Sequence, residues 1–285
     1  MGSLVAVVTD STACLPADLL AGRRITVVPL QVVIDGHSGA EGLEVSPEQV
    51  ADALRAKRTV TTSRPSPQTF ADAYRRLLAE GAAGIVSVHL SGELSGTVDA
   101  ARAAAAEVTE PERPVQAVDS RSLGMGLGYA VLAADEAARE GRPTDQVAEV
   151  AARVGMSAAG YFYVDTLEYL RRGGRIGGAQ AALGSALAVK PLLQLVDGRL
   201  ERFDRVRTAS RALARLEEIV RAEAGDRTVN LAVHHLAAPA PAQLLAGRLR
   251  DRLPAVRQVV VNEVGAAVGA HVGPGMIAVV VSPVP

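Results

Sequence analysis

Tryptophan is missing from this chain of 285 residues, and aromatic side chains of any kind make up only 3% of it. Base-stacking platforms for single-stranded nucleic acid are built from aromatic rings, so that function has little material here. Cysteine occurs once, as Cys14, which excludes an intramolecular disulfide and any zinc site built on several thiolates. It points to a reducing, cytoplasmic setting. Lysine is almost absent, present only as Lys57 and Lys190, and with the heavy use of alanine this reads as the coding bias of a GC-rich genome. The 30 basic residues are matched by 31 acidic ones, a formal net charge of -1, so no charge excess draws the chain to nucleic acid or an anionic membrane. No uncharged apolar run approaches the ~20 residues that span a bilayer. The opening Met1-Gly2-Ser3-Leu4-Val5 lacks the basic region of a secretory leader, and Ala6 breaks a myristoylation pattern. The expectation is a soluble protein with no integral membrane association and no nucleic-acid partner.

What the chain does contain is alternation. Leu4 to Val8, Ile85 to Leu90 and Val115 to Val118 are short continuous apolar runs, the pattern of strands buried on both faces in a parallel sheet. Helical stretches with clear starts lie among them. Ser46-Pro47-Glu48-Gln49 is a capping box with proline at the first helical position, and Ser66-Pro67 opens an apolar stripe of Phe70, Tyr74, Leu77 and Leu78 that stops at Gly81. Thr97 to Val108 and Leu127 to Glu140 read as further helices. In the second half, Leu192 to Val196 and Leu200 to Val206 flank Asp197-Gly198, a two-residue hairpin turn. A helix over Ala209 to Glu223, a strand over Val229 to Val233, a helix over Pro241 to Leu253 and strands over Gln258 to Val264 and Met276 to Ser282 follow. The length and this pattern predict two α/β domains: residues 1-158 with a parallel sheet, and residues 159-285 with a mixed sheet.

Three of the strand ends carry small polar groups: Thr9-Asp10-Ser11-Thr12, Ser91 to Thr97, and Asp119-Ser120. Ligands of open α/β sheets bind at the carboxyl ends of strands, although Asp, Ser and Thr are also ordinary turn formers there. Ser95-Gly96-Thr97 is the most pointed, because it precedes a helix whose first-turn amides can face a carboxylate or phosphate. Thr61-Thr62-Ser63-Arg64-Pro65-Ser66-Pro67 reads as a stiff, hydroxyl-rich loop. His37 and His89 stand alone. His234-His235 closes a strand without a third ligand at metal-binding spacing, so no metal is expected. His271 lies in Gly269-Ala270-His271-Val272-Gly273-Pro274-Gly275, read as a glycine-rich loop with an accessible imidazole. No Gly-x-Ser-x-Gly elbow, Walker A or His-Glu-x-x-His occurs. Gly124-Met125-Gly126-Leu127-Gly128 misses the dinucleotide spacing and is expected to serve close helix packing.

In this order, the segments resemble the DegV family along essentially the whole chain: Val8-Thr9-Asp10-Ser11, Thr62-Ser63-Arg64-Pro65-Ser66-Pro67, Leu94-Ser95-Gly96-Thr97, Val118-Asp119-Ser120, Asp165 to Arg175, Lys190-Pro191, and Gly269 to Gly275. The resemblance implies a long-chain fatty acid held between two α/β domains. It also implies the role of the acyl-binding subunit of bacterial fatty acid kinase: a non-catalytic chain that presents the carboxylate to a separate ATP-using kinase subunit, which makes acyl phosphate for phospholipid synthesis. By motif position the carboxylate contacts are Thr62, Ser95 and His271, with Ser63, Gly96 and Thr97 alongside. Arg207 and Arg175 match positive positions of the kinase-facing surface or the carboxylate pocket. The resemblance implies no metal, and no cofactor besides the acid itself, hexadecanoate or a C14–C18 neighbour. The chain departs from the family at Arg64, where a glutamine is common, and at Val98, where a bulkier residue is common. Ala179 to Val189 is a candidate tunnel lining.

Hydroxyls and an imidazole can bind a carboxylate without burying a full opposing charge, each bond contributing roughly 1.5–3 kcal/mol. A tail of ~14 methylenes contributes on the order of 11 kcal/mol before ordering costs. Two other functions fit the same residues: an esterase or acyltransferase with Ser95 as nucleophile and His271 as base, and a binding module for another apolar carboxylate.

Overall fold

The uninterrupted apolar runs form the central strands. In the computed structural model of the chain, which describes residues 4–176 and 189–284, β1 (Val5–Asp10), β2 (Ile25–Val28), β6 (Gly84–His89) and β7 (Val115–Asp119) make a four-stranded sheet in the order β2-β1-β6-β7. Every pairing in it is parallel. Each residue of β6 is buried, as expected for a strand covered on both faces. The helices α3 (Pro67–Ala79) and α4 (Thr97–Val108) lay Phe70, Tyr74, Ala101 and Ala104 on the face that carries Val8 and Ile85. The helices α5 (Met125–Arg139) and α6 (Thr144–Ser157) pack on each other and against the same sheet. Gly128 of α5 sits where a Cβ would lie 2.9 Å from the Ala13 carbonyl and 2.7 Å from Met125 Sδ. The glycine-rich start of this helix therefore serves close packing, against the turn after β1.

A second sheet has the order β10-β9-β8-β13-β11-β12, with β8 (Ala159–Tyr163), β9 (Lys190–Val196), β10 (Arg199–Val206), β11 (Val229–His235), β12 (Val256–Glu263) and β13 (Ile277–Pro283). It is mixed: β11 and β12 run parallel and the other pairings are antiparallel. The β9–β10 hairpin turns at Asp197 (φ 48) and Gly198 (φ 80), the double positive φ of a type I′ turn. The helices α8 (Ala209–Ala224) and α9 (Pro239–Arg252) close its core with Leu216, Val220, Leu245 and Leu249.

Contacts divide the chain into one unit of Met1–Gln31 with Ser63–Ser157 and another of Val32–Thr62 with Ala158–Pro285. A single boundary near 158 therefore misassigns residues 32–62, which pack with the second unit. They carry β3 (Gln31–Ile34), β4 (His37–Ala40), α2 (Pro47–Arg55) and β5 (Val60–Ser63), and the sheet β4-β3-β5. Long-range contacts to α10 tie this segment to the second unit. Glu41 Oε1 accepts from Ala267 N at 2.8 Å, supplying an acceptor to the first turn of α10 (Ala266–Val272), and α2 packs against α10. Gly265 is part of that fit, since a Cβ there would fall 2.1 Å from the same carboxylate oxygen. The capping box of α2 is formed in full: Gln49 N donates to Ser46 Oγ at 3.2 Å, and Ser46 N to Gln49 Oε1 at 2.8 Å.

Among the described residues no helix is long and apolar enough to cross a membrane, and no group of three or more His, Cys, Asp or Glu is arranged to hold a metal ion. Most of the candidate tunnel segment, 179–188, lies outside the described residues.

Candidate functional site

In the first unit the polar strand ends largely tie one another down. Asp10, at the end of β1, accepts from Thr12 N (3.0 Å), from Thr12 Oγ1, from Leu90 N (3.1 Å) and from His89 Nδ1 (2.9 Å). His89 Nε2 lies 2.7 Å from Ser87 Oγ, which accepts from Tyr74 OH at 2.8 Å. His89, read as solitary in the sequence, is thus the middle of a chain from Tyr74 to Asp10. Its members are all 0% exposed. The order Ser-His-Asp is that of a nucleophilic triad, but burial denies Ser87 any substrate, and the chain instead sets the strand ends from which the Ser91–Thr97 segment springs. Asp119 works alongside, accepting from Gly92 N (3.2 Å) and Arg121 N (2.8 Å).

Ser95 stands just outside α4. Gly96, not Ser95, is the N-cap residue, while Ser95 Oγ lies 2.8 Å from Thr97 Oγ1 and accepts from Thr97 N at 3.3 Å. Arg64 NH1 donates to the Gly96 carbonyl at 3.2 Å, and a Cβ on Gly96 would meet that guanidinium at 2.0 Å. The backbone does not require glycine at 96, since φ is -73, and the exposed Arg64 side chain is free to shift from a Cβ there.

In the second unit Thr62 and His271 meet, 209 residues apart in sequence: Thr62 Oγ1 is 2.8 Å from His271 Nε2. Neither stands in a loop. Thr62 and Ser63 belong to β5, where exposure alternates along Val60–Ser63 as on a half-covered strand, and His271 lies in the last turn of α10. Its imidazole is half-buried, with Nδ1 fully covered. Gly269 lets α10 approach Leu236, and Gly273, at φ 75, ends the helix with its N–H on the Gly269 carbonyl at 2.9 Å. Three glycines shape the surroundings. A Cβ on Gly173 would fall 2.2 Å from His271 Nδ1, one on Gly273 2.2 Å from the Tyr169 ring, and one on Gly275 2.5 Å from Asp165 Oδ2. Arg175, predicted as a charged site residue, is half-buried and its guanidinium donates to the Gly173 carbonyl. Arg207 is exposed after β10. The residues that sequence reading missed are Gly173, Glu41 and the Tyr74–Asp10 chain; only pairings across the fold reveal them.

Burial, and then the charge of Arg175, hold His271 down to about 4; burial does the same for His234. An unfolded histidine titrates near 6.5, so between those values the unfolded chain binds more protons and stability rises with pH. Folding free energy is expected to be full above pH 6.5 and to fall as pH drops from 6.5 toward 4, each unit of difference being worth about 1.4 kcal/mol per histidine. Denaturant midpoints measured across this range check it. His271→Gln should flatten the slope, because one group fewer gains a proton on unfolding, and an unchanged slope would refute the assignment to His271.

The class is set by this architecture: a two-unit α/β protein with an all-parallel four-stranded sheet, a mixed six-stranded sheet and a half-buried hydroxyl–imidazole pair in the second unit. The chain belongs to the DegV family, whose model, described as "Uncharacterised protein, DegV family", matches residues 4–284. It is 55% identical over 282 residues to the DegV domain-containing protein SCO2569 of Streptomyces coelicolor, covering 99% of both chains. It is 43% identical to Rv2417c of Mycobacterium tuberculosis, covering 97% of this chain and 96% of that one. Among solved structures it is similar to a fatty-acid-binding DegV family protein of Thermus thermophilus, with a TM-score of 0.91, 37% identity, and 99% and 100% of the two chains covered. It is also similar to DegV of Bacillus subtilis, described as a fatty acid binding protein, with a TM-score of 0.89, 29% identity and the same coverage.

Proposed function

We propose that this chain binds a long-chain fatty acid and presents its carboxylate to a separate ATP-dependent kinase subunit, which forms an acyl phosphate for phospholipid synthesis in the bacterial cytoplasm. In this reading the chain performs no chemical step itself, and the acid is its only ligand. The observation that carries the fatty-acid part is the likeness to the Thermus thermophilus protein, at 37% identity over 99% of this chain, while the presenting role rests on the family resemblance. The Thr62–His271 pair supports it, being a hydroxyl held by a neutral ring, suited to a carboxylate. Ser95, with Ser63, Gly96 and Thr97, is proposed as a further carboxylate contact from the family motif. Arg207 and Arg175 are proposed to serve the kinase-facing surface or the head group.

Protein purified from a bacterial host and denatured is expected to release a C14–C18 acid detectable by mass spectrometry. Thr62→Val is expected to weaken hexadecanoate binding about 10–100-fold, the equivalent of one charge-assisted hydrogen bond. Shortening the acid by four methylenes should weaken it by a comparable or larger factor, at about 0.8 kcal/mol each. A protein that emerges free of lipid and does not take up hexadecanoate would overturn the reading. Acid bound, but no hydroxylamine-trappable acyl phosphate with ATP and a kinase subunit, would remove the presenting role alone.

A further inference from the structure

Residues 32–62, which pack with the second unit, grip α10 at three heights along the helix. Glu41 meets its first turn, where Ala267 N donates to Oε1 at 2.8 Å. Val50 of α2 meets its middle: a Cβ on Gly269 would lie 3.7 Å from Val50 Cγ1. Thr62 meets its last turn, with Oγ1 at 2.8 Å from His271 Nε2. The helix needs such support. It has seven residues, below the roughly 12–15 at which a helix holds in water by itself, and its N-cap, Gly265, has no side chain to accept from the first-turn amides. Glu41 reaches one of those amides from outside the helix. Its carboxylate is presented by a stiff turn: the Ala40 carbonyl accepts from Leu43 N, Glu44 N and Val45 N at 2.9–3.2 Å, and the Glu44 carboxylate accepts from Ala40 N at 2.7 Å. Glu41 is 6% exposed, and Gly265 makes room for it, since a Cβ there would stand 2.1 Å from Oε1. At φ -64 and ψ 165 the backbone of Gly265 suits any residue, so an added methyl would disturb only the contact with the carboxylate.

We propose that Glu41 is a positioning residue for the ligand head group: by holding the first turn of α10 it sets the height and rotation of the helix, and so places the His271 ring opposite Thr62. The step is geometric. One residue of slip in an α-helix moves a side chain about 1.5 Å along the axis and turns it by about 100°. A hydrogen bond of 2.8 Å survives neither. Glu41 and Thr62 stand on the same segment, so a shift of α10 away from Glu41 is also a shift away from Thr62. Glu41 touches no ligand in this role, and its influence is confined to the carboxylate end of the acid. The effect on binding rests on the fatty-acid reading, whereas the hold on α10 does not.

The test compares hexadecanoate with hexadecanol, which has the same tail and no carboxylate. Glu41→Ala is expected to weaken hexadecanoate roughly 3–10-fold, a fraction of one charge-assisted hydrogen bond, and hexadecanol less than about twofold. Gly265→Ala keeps Glu41 but displaces its carboxylate, so it should act in the same way. Glu41→Gln, which retains an acceptor oxygen, should recover most of the affinity. In the Thr62→Val background Glu41→Ala should add less than about twofold. A loss shared equally by the two ligands would mean a structural role only, against the proposal. Unchanged hexadecanoate affinity in both Glu41→Ala and Gly265→Ala, or a loss that multiplies with that of Thr62→Val, would overturn it as well. Nitrogen-15 spectra need no ligand: in Glu41→Ala and Gly265→Ala the Ala267 amide should exchange faster with solvent, and the His271 ring resonances should move toward those of Thr62→Val. Ring resonances that stay in place overturn the hold on His271 whether or not any lipid binds. If the parent protein fails to bind hexadecanoate, the fatty-acid reading falls, and the spectra still decide whether Glu41 sets the ring.

Discussion

Asp10→Ala is expected to lower the folding free energy by about 3–5 kcal/mol, because it removes a buried acceptor shared by several buried donors. The carboxylate serves four donors: Thr12 N, Thr12 Oγ1, Leu90 N and His89 Nδ1. Alanine strands all of them at positions that are 0–6% exposed. Each stranded donor costs about 1–3 kcal/mol on its own, but the four share one acceptor and relax together, so the losses do not add. The consequence is large against a total stability of about 5–15 kcal/mol, and a melting temperature roughly 10 °C lower is the expected reading. Asp10→Asn should fall in the middle, because its amide still accepts at one oxygen but turns N–H against at least one of the same donors. His89→Ala should approach the Asp10→Ala loss, and the double variant should lose much less than the sum, since the two share one hydrogen-bond chain. A cost under 1 kcal/mol for Asp10→Ala would show that the Tyr74–Ser87–His89–Asp10 chain contributes little to stability.

That chain illustrates what could and could not be read from the sequence. The strand runs, the Ser46 capping box and the Asp197-Gly198 hairpin were legible because each depends on neighbours a few residues apart. Asp35-Gly36, with φ of 48 and 85, is a second turn of the same chemistry. It went unread because its flanking strands, Gln31–Ile34 and His37–Ala40, are four residues long and only partly buried, so no apolar run announces them. The helix holding His271 was read as a loop for another reason: part of its first-turn satisfaction comes from Glu41, 226 residues away, and three glycines within and beside it lower its propensity. The same contact, with the α2–α10 packing, takes residues 32–62 into the second unit, and no composition shift marks their ends. Thr62 and His271 were singled out only through the family motifs; strand or helix periodicity carries no information about a partner 209 residues distant.

Gly173→Ala should damage the candidate site, although its backbone argues the opposite. Gly173 sits at φ -74 and ψ -10, ordinary right-handed geometry. Alanine there should stabilise by about 0.4–1 kcal/mol through the unfolded chain alone. The added Cβ, however, would lie 2.2 Å from His271 Nδ1 and 2.8 Å from Cε1. The ring has little room to retreat, being tied to Thr62 at Nε2 and carried on a helix whose Ala270 and Val272 are buried. Overpacking of this kind costs about 1–3 kcal/mol, and pushing the ring away breaks its bond to Thr62, so hexadecanoate affinity should fall about tenfold or more. The next residue supplies the control. Gly174 has φ +71 and nothing within 4 Å of its Cβ position, so Gly174→Ala should cost about 1–2 kcal/mol in backbone strain and leave affinity nearly unchanged. Combining Gly173→Ala with His271→Ala removes the obstructing ring, and the pair should be more stable than the sum of the single changes predicts, which denaturant midpoints of the four proteins would read directly. If Gly173→Ala proves as stable and as tight-binding as the parent, the ring is not held where Nδ1 meets Gly173.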